Sequence, residues 1–270
     1  MEYFYPAILG TIQGLTEFIP ISSTGHLIVA RSIFGLPQET GLSFDAVIQL
    51  ASAMAVLVYF RKDIWRLFKS FIALLSRKVC SAEDKIMIYG IILGTMPAVI
   101  IGLLLENTME TVFRSPYYVA VGLILGSVLF IIAEKFAKQN QTLTIKNGLQ
   151  AGLYQCLALF PGMSRSGSTI AGGLLLGLTR ESAVRFSFLL SLPIIFGSGA
   201  KKVLDLVKGG QLVGIETSLL VGSVFAFVFG FLAISFLIKF LKTNTLKSFA
   251  VYRVVLAVVV VILLLTSVIK

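Results

Sequence analysis

The sequence predicts an all-α integral membrane protein: one membrane domain built as an inverted-topology repeat, with six full transmembrane helices and two re-entrant helix–loop–helix pairs. Three observations carry this expectation. Hydrophobic residues make up 57% of the 270-residue chain and charged ones only 13%, with a mean hydropathy of +0.94, whereas a soluble domain carries roughly 25% charged residues. Six apolar runs, near 44–60, 87–105, 117–134, 184–200, 212–238 and 249–268, are long enough for a bilayer, which takes about 20 residues. Four shorter runs, about 5–18, 24–36, 148–160 and 166–178, form two pairs, and each pair is broken by a polar motif.

Irregular backbone at membrane depth is tolerated only where protein or a water-filled cavity surrounds it, so each pair reads as a re-entrant element with its motif at the tip. The two pairs are copies. An ungapped offset of 142 residues places Gly10 on Gly152, Gln13 on Gln155, Phe18 on Phe160, Ser22 on Ser164 and Gly25 on Gly167. It continues with Gly35 on Gly177, Glu39 on Glu181 and Phe44 on Phe186. Matches between Leu and Ile would be expected by chance in apolar segments; paired Gln, Ser, Gly and Glu matches would not. The repeats are 1–140 and 141–270, each holding one re-entrant pair and three full spans. Three crossings are an odd number, so the second copy enters from the opposite face.

Loop charge sets the orientation. The Lys and Arg residues of 61–85, 135–146, 180–185 and 242–247 fall on one side; Arg31, Arg114, Lys201, Lys202, Lys208 and Lys270 fall on the other. The first set is expected in the cytoplasm, with both termini outward. The same rule accounts for the net charge of +10 as topogenic loop charge, and nucleic acid is not expected as a partner. The opening residues Met1 to Pro6 lack a basic stretch, so no cleaved signal peptide is expected. Cys80 and Cys156 lack the spacing of a metal site or a disulfide framework. Gly222 and Gly230 permit close helix packing, within one chain or in a homodimer.

The first motif runs from Gln13 through Glu17, Pro20, Ser22, Ser23 and Thr24 to His26, the only histidine of the chain. Gln13 and Glu17 are four apart and share a helix face; a carboxylate beside an amide oxygen offers hard ligands for Mg²⁺ or Ca²⁺. Pro20 ends that helix. One of the three hydroxyls caps the next helix, and another is free to act as nucleophile. His26 follows Ser23 by about one turn, a spacing at which an imidazole acts as base to the hydroxyl or attacks phosphorus itself. The second motif, 161–169, surrounds Arg165 with Ser164, Ser166, Gly167, Ser168 and Thr169. An arginine at membrane depth calls for an anion, either Glu17 or a bound ligand. Hydroxyls, backbone N–H groups and a helix N-terminus suit that ligand's phosphate oxygens. A metal site, nucleophile, base and anion clamp are the parts of phosphoryl transfer, and a site inside the bilayer calls for an amphiphile with a phosphate head. An inverted repeat with broken helices also suits a transporter or flippase of a phosphorylated lipid; the Ser23–His26 pair beside Glu17 and Arg165 favours catalysis, because anion transport needs no nucleophile.

Segments 13–27 and 161–169 resemble the two signature motifs of the undecaprenyl-diphosphatase family linked to bacitracin resistance, and the resemblance extends over essentially the whole chain. It implies dephosphorylation of a long-chain prenyl diphosphate lipid, undecaprenyl diphosphate, to the monophosphate, which recycles the lipid carrier of cell-wall synthesis. It further implies a divalent cation, and a site opening to the outer face of the bacterial cytoplasmic membrane. By position, Glu17 matches the family's essential acid, Ser23 and His26 its proposed nucleophile and base, and Arg165 its phosphate-binding arginine. The first residue of the Glu/Gln-x-x-x-Glu element is Gln13 here, which leaves one carboxylate and weakens any two-carboxylate metal arrangement.

Overall fold

A computed structural model describes residues 3–36, 41–105, 115–209 and 216–269; Glu39, Arg114 and Lys270, used above for the repeat and the charge balance, lie outside them. Helix follows helix throughout: α1 Phe4–Phe18, α2 Ser23–Ile33, α3 Gly41–Tyr59, α4 Arg61–Leu75, α5 Ala82–Leu104 and α6 Pro116–Phe136. The second half continues with α7 Ile145–Cys156, a 3₁₀ turn at Leu157–Leu159, α8 Arg165–Leu175, α9 Arg180–Lys208, α10 Glu216–Thr243 and α11 Lys247–Leu265. Five of these helices (α5, α6, α9, α10 and α11) are long and apolar enough to cross a membrane, and the bent pair α3–α4 would make a sixth. The chain is a multi-pass, all-α membrane protein.

Both polar motifs break the helix in the same way. Ile19 before Pro20 and Phe160 before Pro161 are extended, because proline's ring disfavours α backbone in the residue ahead of it. Each following helix then starts from a serine with positive φ, Ser22 at 74° and Ser164 at 69°. In each, the serine side chain accepts the N–H of the glycine three residues on, Gly25 or Gly167, at 3.2 Å. The offset of 142 seen in the sequence is therefore an offset in local geometry as well. It extends to packing. Gly10 of α1 lies against Gly222 of α10, and Gly152 of α7 lies against Gly94 of α5; a Cβ on either would meet the facing carbonyl oxygen at 2.2 and 2.1 Å. Gly230 faces Phe18, Ala55 and Ser52, so both glycines set aside for close packing are used inside the chain.

One helix was not expected. The basic segment after 60 is not simply a loop: α4 leaves α3 at 84° and is amphipathic. Trp65, Phe68, Ile72 and Leu75 are exposed on it, among Arg61, Lys62, Arg66 and Lys69. A helix of that pattern, turned sharply from a span, suits the plane of the membrane interface. Arg66 to Asp84 at 3.2 Å and Ser70 to Asp84 at 2.7 Å tie it to α5. Around α10 and α11, exposed Leu220, Val224, Val228 and Val251, Val255, Val258, Ile262 recur at helical spacing, as lipid-facing stripes do.

A single side chain holds the two breaks together. Arg253 of α11 is fully buried, and each of its five N–H groups has a backbone carbonyl to meet. Nε donates to Leu123 at 3.3 Å. Nη1 donates to Pro20 at 3.3 Å and Met163 at 3.0 Å, and Nη2 to Gly122 at 3.0 Å and Gly162 at 2.9 Å. Its guanidinium sits 4.8 Å from the Phe130 ring centre and fills the space that Gly126 leaves by having no Cβ. Pro20 belongs to the first break and Gly162 and Met163 to the second, so their relative position is set here.

Two variants test these packing arguments. Gly152→Ala is expected to destabilise the detergent-solubilised protein by about 1–3 kcal/mol, since backbone rather than a flexible side chain must yield. Gly197→Ala, with open space around the new Cβ, should leave the melting temperature unchanged or raise it, helical alanine being favoured by about 0.5–1 kcal/mol. Replacing Arg253 with methionine removes five hydrogen bonds from a charged donor, each worth about 1.5–3 kcal/mol. Thermal unfolding should register a loss of at least ~3 kcal/mol, and an unchanged melting temperature would refute the staple.

Candidate active site

Between the two breaks lies a cavity of about 290 Å³. The first break supplies Glu17, Ser22, Ser23 and Thr24; the second supplies Phe160, Pro161, Gly162, Ser164 and Arg165; Gln155 of α7, Gln49 of α3 and Ser198 of α9 complete the polar wall. Helices α2 and α8 both begin at this wall. Their first-turn N–H groups have no intrahelical acceptors, so two helix N-termini border one small space and make it suited to an anion.

Glu17 is the centre of the arrangement. Its side chain is 3% exposed, and four donors converge on it. Oε1 pairs with Arg165 and accepts from Gln49 Nε2 at 3.3 Å. Oε2 accepts from Ser23 Oγ at 2.7 Å and from Gln13 Nε2 at 2.9 Å. The α1 spacing puts Gln13 one turn behind Glu17, as expected. Gln49 was not anticipated, although a lone glutamine in an apolar run was its signal. Arg165 also reaches Ser191 O at 3.5 Å from Nη1. Of the two anions that the sequence left open for Arg165, Glu17 is its partner in this structure.

Ser23 and His26 share a helix face but not a hydrogen bond. The hydroxyl of Ser23 is given to Glu17, whereas His26 Nδ1 lies 2.7 Å from Ser22 O and Nε2 lies 2.8 Å from the Tyr252 hydroxyl. A carbonyl only accepts, so Nδ1 carries the proton and Nε2 takes the Tyr252 O–H. The imidazole is thus turned toward α11 and away from the Ser23 hydroxyl, and it is Glu17 that stands where a base for Ser23 is needed.

The remaining predicted residues divide between wall and support. Ser22 and Ser164 line the cavity and cap α2 and α8; Thr24 lines it without a structural bond of its own among the described contacts. Behind the wall, Ser166 Oγ lies 3.2 Å from Ser164 Oγ and donates to Glu17 O at 3.3 Å. Thr169 Oγ1 donates to Arg165 O at 2.9 Å. Gly167 packs closely against α6 and the first break, since a Cβ there would meet Phe130 at 2.4 Å and Pro20 at 3.1 Å. Sequence reasoning missed Arg253 altogether, though an arginine inside the last apolar run is itself an anomaly. Tyr252 and Ser191 carried no signal that could have marked them.

Comparison with known proteins finds relatives over nearly the whole chain. The family model described as "Bacitracin resistance protein BacA" matches residues 6–259. The chain is 43% identical to "Undecaprenyl-diphosphatase 1" of Corynebacterium jeikeium (strain K411), over 99% of this chain and 96% of that one. It is likewise 43% identical to an "Undecaprenyl-diphosphatase" of Corynebacterium striatum, over 98% and 95% of the two chains. A protein of the same name from Mycobacterium sp. (strain KMS) is 42% identical over 100% and 99%. With its motifs facing one cavity and nearly its whole length matched, the chain belongs to the BacA bacitracin-resistance protein family.

Proposed function

We propose that this protein hydrolyses undecaprenyl diphosphate to undecaprenyl phosphate and inorganic phosphate at the cavity between the two breaks. The observation that carries the reading is the convergence of Ser23 and Arg165 on buried Glu17, a hydroxyl nucleophile and an anion clamp meeting one proton acceptor. The relatives named for this activity span the full chain.

The chemistry follows from that contact. The terminal phosphate of the substrate draws Arg165 from Glu17, because a guanidinium fits phosphate oxygens in two parallel hydrogen bonds. Glu17, released from its cation, takes the proton of the Ser23 hydroxyl. Ser23 Oγ forms a bond to the terminal phosphorus, the anhydride P–O bond breaks, and the prenyl monophosphate leaves. Glu17 hands its proton to the departing monophosphate; water then attacks the phosphoserine, Glu17 taking the water's proton and returning it to Ser23 Oγ as inorganic phosphate departs. Around the cavity stand Glu17, Arg165 and Arg253; the last has no carboxylate partner among the described residues, so the local charge is positive before substrate arrives and favours a diphosphate. His26, held between Ser22 and Tyr252, orients the first turn of α2 and with it Ser23.

A divalent cation belongs to this reading in a limited way. Among the described residues no group of three or more His, Cys, Asp or Glu side chains could hold an ion, and Glu17 is the cavity's one carboxylate. That donor set fits an ion that arrives with the diphosphate and keeps much of its water, as Mg²⁺ does. Glu17 and the Gln13 amide oxygen would hold it from the protein side, and it would supply charge neutralisation.

The architecture is read in the same terms. The matched breaks, capping serines and glycine contacts support an inverted repeat of 1–140 and 141–270 whose re-entrant tips meet within the bilayer. The cavity would open to the outer face of the bacterial cytoplasmic membrane, with both termini outward.

Phosphate release from a long-chain prenyl diphosphate by the purified protein tests the activity. Glu17→Ala and Arg165→Ala should each lower kcat/KM by about 10²-fold or more, and chelation should suppress the wild type. Release from well-folded wild type that neither variant diminishes would sink the mechanism. Topology is tested separately with Cys156→Ser protein, which leaves Cys80 as its one thiol. A membrane-impermeant maleimide is expected to label it only after the cells are permeabilised; labelling of intact cells would reverse the orientation.

A further inference from the structure

Gln155 is the repeat mate of Gln13, yet the two glutamines are used differently. Gln13 spends its amide on Glu17. Gln155, on the last turn of α7, is only 2% exposed and lines the same cavity as Glu17, Ser23 and Arg165. Neither Nε2 nor Oε1 has a hydrogen-bond partner among the described residues. A buried carboxamide that meets neither protein nor solvent is costly, and in native proteins the great majority of such groups are satisfied. Within a packed core, leucine at this position would serve α7 better. The neighbouring wall is already committed: Gln49, Gln13 and Ser23 all give their hydrogens to Glu17. The carboxamide of Gln155 is therefore the uncommitted side-chain donor buried in the cavity wall.

Resting on the reading of this cavity as a diphosphate site, we propose that Gln155 is a substrate-contacting residue whose Nε2 donates to a phosphate oxygen of the bound diphosphate. A phosphate oxygen only accepts, so of the two amide atoms Nε2 is the one that can bind it, while Oε1 is left for a water molecule. The two repeats thereby contribute unequal halves of one site. In the first, the glutamine holds the carboxylate in place; in the second, the equivalent glutamine, with no acid four residues on (Leu159 stands there), turns to the ligand. Because Gln155 approaches from α7 and Arg165 from the N-terminus of α8, they would grip the diphosphate from different sides. Such a contact is present in the ground state and the transition state alike, so its loss weakens KM more than kcat.

The experiment compares wild type with Gln155→Leu and Gln155→Glu. Kinetics use a prenyl diphosphate with Mg²⁺, and thermal unfolding is recorded with and without inorganic pyrophosphate. Gln155→Leu removes an orphaned amide, so it should melt at or above the wild-type temperature while KM rises about tenfold or more and kcat changes less than about threefold. Gln155→Glu keeps the shape and loses the donor, so KM should rise at least as far. Pyrophosphate should raise the melting temperature of wild type and of neither variant. Unaltered KM in Gln155→Leu, or wild-type KM in Gln155→Glu, overturns the donor role, as does an equal pyrophosphate shift in all three proteins. Loss of stability with unaltered KM would make Gln155 a packing residue and also overturns it. A wild type that binds pyrophosphate with the expected loss in the variants, but hydrolyses no prenyl diphosphate, would support the contact and remove the phosphatase reading.

Discussion

Everything in the cavity depends on two chain breaks being held at a fixed separation, and the guanidinium of Arg253 binds carbonyls of both. Its five donors end on carbonyls of Pro20, Gly162, Met163, Gly122 and Leu123, so one side chain joins the first break, the second break and α6. The choice of arginine follows from the backbone. At each break proline ends a helix, and carbonyls are left without helical N–H partners in surroundings where water is scarce. A planar cation with five hydrogens supplies what several separate side chains would otherwise have to. The cost is a buried positive charge, met by carbonyl dipoles and the Phe130 face in place of a carboxylate. That cost has a use, because an unneutralised cation near the cavity favours an anionic ligand.

The Glu17–Arg165 pair is the other electrostatic commitment. A buried ion pair adds little net stability once both partners have been taken out of water, so packing alone does not account for it. Its geometry does: Glu17 receives Ser23, Gln13 and Gln49 on the oxygens that Arg165 also claims. The arginine can exchange one anion for another while the three neutral donors keep the carboxylate in place. Behind this cluster, Phe18 meets Phe188 edge-on at 5.5 Å, and Phe188 meets Phe60 at 6.0 Å. These rings belong to the main apolar core, which begins next to Glu17 at Phe18, so the cluster's hydrogen bonds lie beside a medium where they are strong.

How far the sequence could be read varies with the kind of feature. Helix breaks were legible because Pro20 and Pro161 act on their immediate neighbours, and the start of α2 was legible because one of the hydroxyls of Ser22, Ser23 and Thr24 had to cap it; that Ser22 and Ser164 are the caps came from the structure. The six apolar runs reappear as α3, α5, α6, α9, α10 and α11, hydropathy being a property of composition over one helix length. The amphipathic α4 was hidden under its own charges: counting Arg61, Lys62, Arg66 and Lys69 as loop topology overlooked Trp65, Phe68 and Ile72 interleaved with them on one helix. At the site, Glu17, Ser23 and Arg165 were recognisable as polar groups in apolar surroundings. The pairing of Ser23 with His26 was the natural inference from one-turn spacing, and it is not the contact that forms.

By itself, then, the sequence determined which segments are apolar enough for lipid, where they are interrupted, and which residue types gather at the interruptions. Each of those is decided within a turn or two of helix. Tertiary structure alone decided who bonds to whom: Ser23 to Glu17 and not to His26, His26 to Tyr252 across 226 residues of chain, Arg253 to both breaks, and Gln155 to none of the described residues. These outcomes turn on side-chain rotation and on the approach of helices far apart in sequence, and glycine contacts such as Gly10 on Gly222 set that approach to within an ångström. Residue order constrains neither quantity until the helices have packed, because a hydrogen bond is won or lost over about half an ångström and a few tens of degrees.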